Sequence, residues 1–415
     1  MDYTCLNMKK KTLLCVIGCM LLTGCNVYSD SQNLTESAGK AVVCYEEAVS
    51  LTPFYDFSYN FFQGNMEDMN PVMSPLSAYY AMSLAASGAD GETREELEAL
   101  LGENFYQVCD EIMEILPRKG SEENITISLA NSAWLDDSFR GDKNWLLEIN
   151  TYFESEVFKS NLSSIDAMND INQWCSDKTQ GLIPQFLSEP LSTDTRLALF
   201  NALYFNSRWR NPFGKGATRE EVFYLEDGSI TSVEMMHNYS DYQFYFAEEQ
   251  VQGVCLPYYD GTTFVALMAS DDTSIREVYD SLSMDELIAY AKTDKTTFIN
   301  LQLPKFQANA SLDLIDYFKS QGVDAAFYAE KADFHRMGAT SSGEAIYISD
   351  IIQQAVIEVN EDGTEAGAIT MIAAAECAAE PAERPIDVFF NRPFFYMIYD
   401  NKAEAPLFMG IFEKP

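Results

Sequence analysis

Side chains able to do chemistry are sparse in this sequence and widely spread. There are two histidines, His237 and His335, and neither sits in a catalytic motif. A histidine-dependent triad or metal site is therefore poorly supplied, and both read as structural or surface residues. Nine cysteines are present. Cys5, Cys15 and Cys19 lie in an N-terminal leader; after Cys25 come Cys44, Cys109, Cys175, Cys255 and Cys377, far apart and without metal-like spacing. They read as mostly free, buried thiols, and no metal or cofactor is expected. The distinctive pattern is instead at 359–379, which reads VNEDGTEAGAITMIAAAECAA. From Thr364 it alternates as a strand does: Thr364, Ala366, Ala368, Thr370, Ile372 and Ala374 on one face, Glu365, Gly367, Ile369, Met371 and Ala373 on the other. A strand over 364–375 would span roughly 40 Å, enough to cross a large sheet. Yet Ala and Gly are weak strand formers, and the Glu380–Pro385 stretch that follows reads as exposed loop. This segment can enter a sheet but has little to lock it there. Taken alone, it also reads as an Ala-rich surface loop.

The rest of the chain must position that stretch. With 415 residues and 47% hydrophobic content it can bury a sizeable core. A net charge of −37 argues against nucleic-acid binding, which needs Lys and Arg clusters to neutralise phosphate. Lys9–Lys11 precede an apolar run from Leu13 to Leu22, too short to span a bilayer. The run ends in Leu22-Thr-Gly-Cys25, which resembles a bacterial lipobox, so Cys25 is the expected lipidated first residue of a secreted, membrane-anchored lipoprotein. An ordinary signal peptide with an incidental Cys is the alternative, and Met8 is an alternative start. Residues 1–24 thus read as leader, 25–50 as a polar flexible tether, and 51–415 as one folded domain without internal repeats.

Along that domain, Phe54–Phe62 carries an aromatic helical stripe. A small-residue helix follows over Ala78–Ser87, with Ser74 or Ser77 as its cap. A Gly turn at Gly88 leads to a Glu-rich helix capped by Thr93. Ile125–Trp134 reads as a strand, Ile171–Trp174 as helix, and Asp194–Phe205 as a buried strand of nearly continuous apolar residues. Strands are read at Met235–His237, Val254–Tyr258 and Phe264–Met268, then a helix over Ser311–Gly322. A long strand, Ile346–Val359, runs into the distinctive stretch.

Several of these segments resemble the serpin family, in order and over nearly the whole domain. The segment Glu361-Asp-Gly-Thr-Glu-Ala-Gly-Ala-Ile-Thr370 is similar to the hinge of an inhibitory serpin's reactive-centre loop. Phe390-Asn-Arg-Pro-Phe394 and Pro406-Leu-Phe-Met-Gly-Ile411 resemble the family's C-terminal strands. Asn70-Pro-Val-Met-Ser-Pro-Leu-Ser77, Thr179-Gln-Gly-Leu-Ile183, the strand through Asn201 to Trp209 with Asn211-Pro-Phe213, and Leu303-Pro-Lys-Phe306 resemble further family segments. The resemblance implies an α+β serpin fold, with about three β-sheets, eight to nine helices, an exposed reactive-centre loop at about 361–388 and a metastable native state. It places Ser74, Ser77, Asn201 and Gln353 at the "shutter" behind the main sheet, and Trp209 at the "breach" where the loop enters. One departure is plain: Gln353-Gln354-Ala355 stands where the family usually carries His-Lys-Ala, although Gln353 can still donate and accept.

The resemblance also implies a mechanism. A serine protease attacks the loop and becomes an acyl-enzyme; the freed hinge inserts between strands, and the protease is dragged and distorted before water releases it. Hinge residues Glu361, Gly363, Thr364, Glu365, Ala366, Gly367 and Ala368 must enter without steric or charge penalty. Ile369 is larger than the Ala often found there. The family's spacing puts the scissile bond at Cys377-Ala378, with Glu376 to Ala379 as the window. A small residue there suits elastase-like or subtilisin-like proteases; Glu376 would suit glutamate-specific ones. The expected partner is a target serine protease bound covalently, by a monomer that meets the membrane through its lipid alone. Two other functions stay open, a non-inhibitory serpin-fold binding protein and a cell-surface hydrolase, which lacks a His-containing motif.

Overall fold

The computed structural model describes residues 28, 30–41, 43, 45, 48–67, 69–116, 118–119, 126–248, 250–270, 273–364 and 384–415. Among them are nine α-helices and three sheets of eight, nine and two strands, the mixed α+β architecture expected from the sequence.

The eight-stranded main sheet runs Gln32–Asn33, Glu156–Ser160, Thr126–Asp136, Leu197–Arg208, Gly363–Thr364, Ile348–Val359 and Phe306–Asp313, with Arg118–Lys119 paired to the side of Thr126–Asp136. Eleven of the twelve residues of Leu197–Arg208 are buried, as a strand covered on both faces requires. Its side chains split by parity: Leu197, Leu199, Leu203 and Phe205 join the main core, while Ala198, Phe200 and Ala202 join a second core under helix Ile165–Lys178. The nine-stranded sheet holds the C-terminal strands Phe394–Asp400 and Ala405–Phe412, both buried at every residue. Between these sheets lies helix Pro75–Gly88, buried along its whole length. Ser74 caps it by accepting from the Ser77 amide at 3.1 Å, one of the two caps proposed from sequence.

Three expectations are corrected. The helix Gly91–Leu101 is capped by Asp90, which accepts from the Gly91 amide at 2.9 Å. Thr93 lies inside that helix, and its hydroxyl accepts from the Asp333 amide at 3.0 Å. Ser311–Asp313 is strand, not helix, because Phe306–Asp313 pairs antiparallel with Ile352–Val359; the helix begins only at Ile315. The segment read as tether is docked in part. Gln32 and Asn33 pair with Lys159 and Phe158. Asp170 accepts from the Asp30 and Ser31 amides at 3.0 and 2.9 Å, and Asn150 donates to the Thr35 and Ala38 carbonyls. This segment covers an edge strand that would otherwise expose unpaired backbone groups. Polar residues suffice for that, so polar composition did not reveal it.

Candidate functional site: the seam of the main sheet

Strands Leu197–Arg208 and Ile348–Val359 form the seam. At its lower end they pair directly and in parallel, from Ile348 opposite Leu197 to Gln353 opposite Asn201. Above that pair, no described strand lies between Ala202–Asn206 and Gln354–Glu358. At the top, Gly363 and Thr364 sit between the two strands, Gly363 opposite Arg208, and Thr364 opposite both Ser207 and Val359.

The closed end is held by polar groups. Gln353 is 2% exposed; it accepts from the Ser74 amide at 3.0 Å and donates to the Ser74 carbonyl at 2.8 Å. One amide side chain thus satisfies both backbone groups of the helix cap. Asn201 donates to Asn131 on the neighbouring strand, leaving Asn201 Oδ1 and Asn131 Nδ2 buried without partners among the described residues. Ser77 is fully buried beside this row.

At the open end, Trp209 is the organiser. Its indole donates to the Asn360 carbonyl at 2.8 Å and its amide to the Asp362 carbonyl at 2.9 Å. Asn360 Oδ1 in turn accepts from the Asp362 and Gly363 amides, folding the chain back on itself. Glu361 accepts from the Thr218 hydroxyl at 2.7 Å and faces Lys305 at 3.5 Å. Burial pushes its carboxyl up, but the Thr218 hydroxyl, its own backbone amide and Lys305 outweigh that and hold it below the usual range. Asp362 pairs with Lys215 at 2.6 Å. Gly363 is required: a Cβ would stand 2.1 Å from the Ser207 carbonyl oxygen and 2.7 Å from Arg208 Cα. Thr364 is 1% exposed. An exposed loop from about residue 361 was the expectation; Gly363 and Thr364 are already inside the sheet. The loop's far boundary also moves, since Ile386–Phe389 is a strand paired in parallel with Ile299–Gln302.

So the structure brings Ser74, Ser77, Asn201 and Gln353 together at one end of the seam, and Trp209, Glu361, Gly363 and Thr364 at the other. Cys25, Glu365, Ala366, Gly367, Ala368, Glu376, Cys377, Ala378 and Ala379 lie outside the described residues. Sequence reasoning did not single out Asn131, Lys215, Thr218, Tyr258, Lys305 or Asn360. Tyr258 was read only as the end of a strand, and no local pattern joins it to Thr364. His237 is buried, with burial lowering its pKa. His335 is exposed and 2.6 Å from Asp333, whose hydrogen bond raises it. Cys109, Cys175 and Cys255 are free and buried, and burial pushes Cys175 up to about 12. Among the described residues there is no metal-capable cluster and no helix long and apolar enough to cross a membrane.

The main sheet thus has a parted seam, entered at the top by Gly363 and Thr364. The model of the family described as serpin (serine protease inhibitor) matches residues 54–415. Alpha-1-antiproteinase 2 of Equus caballus is 26% identical over 94% of this chain and 92% of its own length. Neuroserpin of Mus musculus is 29% identical over 85% and 88%. The crystal structure of a thermophilic serpin, tengpin, in its native state superposes with a TM-score of 0.83 at 30% identity, over 93% of this chain and all of that one. The chain belongs to the serpin family, a family of protease inhibitors rather than enzymes.

Proposed function

We propose that the chain inhibits serine proteases as a suicide substrate, inserting its cleaved loop into the parted seam. The observation that carries this is the seam itself: a slot closed below, open above, with Gly363–Thr364 already paired at its mouth. Continuing the antiparallel register of Thr364 with Ser207 would set Ala366 opposite Phe205, Ala368 opposite Leu203 and Thr370 opposite Asn201. Paired residues share a face, so small side chains would meet the core face. The Thr370 hydroxyl would arrive at the level of the unpartnered Asn201 and Asn131 atoms, where a buried polar group needs a partner. Glu365 would fall on the opposite face, level with Asn206. Direct pairing below Asn201 would have to open for the strand to continue past Thr370.

The bond expected to be cut is Cys377-Ala378, by an elastase-like or subtilisin-like protease, with covalent capture of that enzyme. Lipidation at Cys25, export to a bacterial cell surface and a monomeric state complete the proposal. The test is to incubate the domain with pancreatic elastase and read a denaturing gel with mass spectrometry. A complex that survives boiling, with a released peptide beginning at Ala378, is the expected result. Clean cleavage without a complex, across elastase-like, subtilisin-like and glutamate-specific proteases, would overturn it in favour of a non-inhibitory binding protein.

A further inference from the structure

Thr364 meets a specific partner in the sheet. Its Oγ1 lies 2.5 Å from the Tyr258 hydroxyl, and the two residues are 1% and 0% exposed. Tyr258 is itself fixed. Its ring stacks on Trp209 at 4.3 Å and 15°, meets Phe205 edge-on at 5.1 Å, and its amide donates to the Thr262 carbonyl at 3.0 Å. Ser207, directly across from Thr364, keeps a buried hydroxyl without a partner among the described residues. The Thr364 hydroxyl is therefore committed to the phenol. If Thr364 withdrew, the phenol would be left in an aromatic cage, and a stranded buried hydroxyl costs more than an average hydrogen bond gains.

We propose that Tyr258 is a positioning residue that seats Thr364 in the main sheet before any cleavage and so sets the register in which the rest of the loop enters. Register matters because a one-residue slip exchanges the two faces of a strand. A slip that brought Glu365 opposite Ser207 would turn its carboxylate into the cage of Tyr258, Trp209 and Phe205, where an unpaired charge is prohibitive. The phenol accepts or donates one hydrogen bond at one place, so it marks a single register, which apolar packing alone would not. With Gly363 and Thr364 seated, insertion begins at Glu365. This inference rests on the inhibitory reading for its consequence, but the seating can be measured in the free protein.

The experiment uses the uncleaved protein in three forms, Tyr258→Phe, which keeps the stack on Trp209, Thr364→Val, which keeps the shape, and the double variant. Hydrogen exchange, read by mass spectrometry over a peptide covering 359–364, reports the seating. Tyr258→Phe is expected to speed that exchange roughly three- to tenfold, the size of one hydrogen bond. The double variant is expected to return towards wild type, because neither hydroxyl is then stranded. With a protease that cuts the loop, Tyr258→Phe should raise the fraction released as cleaved product at an unchanged rate of cutting; a purely structural defect would not give that split. Unchanged exchange in Tyr258→Phe, or additive effects in the double variant, overturns the proposal whatever the protease data show. Wild-type protein that is cut and never forms a complex overturns the inhibitory reading instead, and the exchange result still decides the seating.

Discussion

Below the Asn201–Gln353 pair the two central strands of the main sheet hydrogen-bond to each other directly; above it they part, and the next described residues between them are Gly363 and Thr364. The same two strands supply both ends, so the difference does not lie in strand propensity. It lies in what stands behind each end. The closed end rests on the Ser74 cap through Gln353, which ties a helix terminus to a strand. The open end rests on Trp209, Asn360 and two acid–lysine pairs that bind the loop base rather than the opposite strand. One end stabilises strand against strand; the other binds the base of the loop.

That contrast can be broken from either side. The largest effect is expected from Thr364→Arg. A guanidinium in the buried space that Thr364 shares with Tyr258 and Ser207 would have to give up its water, so loop entry should slow by roughly tenfold for each 1.4 kcal/mol of penalty. The product ratio with a cutting protease should shift from covalent complex to cleaved chain, read on a denaturing gel. Next comes Trp209→Ala, which removes a fully enclosed indole and its bond to the Asn360 carbonyl; a loss of about 3–5 kcal/mol is expected from the aromatic deletion, measured by denaturant unfolding. Gln353→Ala acts at the other end. It strands the amide of Ser74, whose carbonyl keeps the Ala78 amide, costing about 1–3 kcal/mol, and it should loosen the directly paired strands, seen as faster hydrogen exchange at 348–353 without faster exchange at 359–364.

The smallest effect is electrostatic. Because the folded-state pKa of Glu361 is depressed, its contribution is fully present above the unfolded carboxylate pKa and is lost as pH falls through the folded value. Glu361→Gln should therefore flatten the acid side of the stability curve and leave the neutral side lower. His237, whose pKa is lowered, adds a loss of the same sign, setting in as pH falls below the unfolded His value. His335, raised by Asp333, works the other way, stabilising below the unfolded His pKa and fading as pH rises through its folded value.

Much of the seam was legible in the sequence. The apolar run through Asn201 and the long strand into the hinge gave both of its walls, and small residues after Gly363 marked what could enter between them. Trp209 and Gln353 were placed by resemblance, and the second exchanges hydrogen bonds with the backbone of Ser74. What stayed hidden depends on distant partners. Thr93 has the right chemistry for a cap, but Asp90 precedes it and takes the role, freeing Thr93 to bind Asp333. Ser311–Asp313 resembled the start of a helix because its strand partner, Ile352–Gln354, is remote in sequence. The polar N-terminal segment looked like a tether because several of its contacts use backbone groups, which composition does not register. Tyr258 and Thr364 lie more than a hundred residues apart and follow no shared period.

The most direct test of the central claim is thermal unfolding before and after the loop is nicked within 369–379. If the seam accepts the loop, the cleaved protein gains a full central strand, and its melting temperature rises sharply above that of the intact chain. A cleaved protein that melts at the temperature of the intact chain, or below it, would contradict the account.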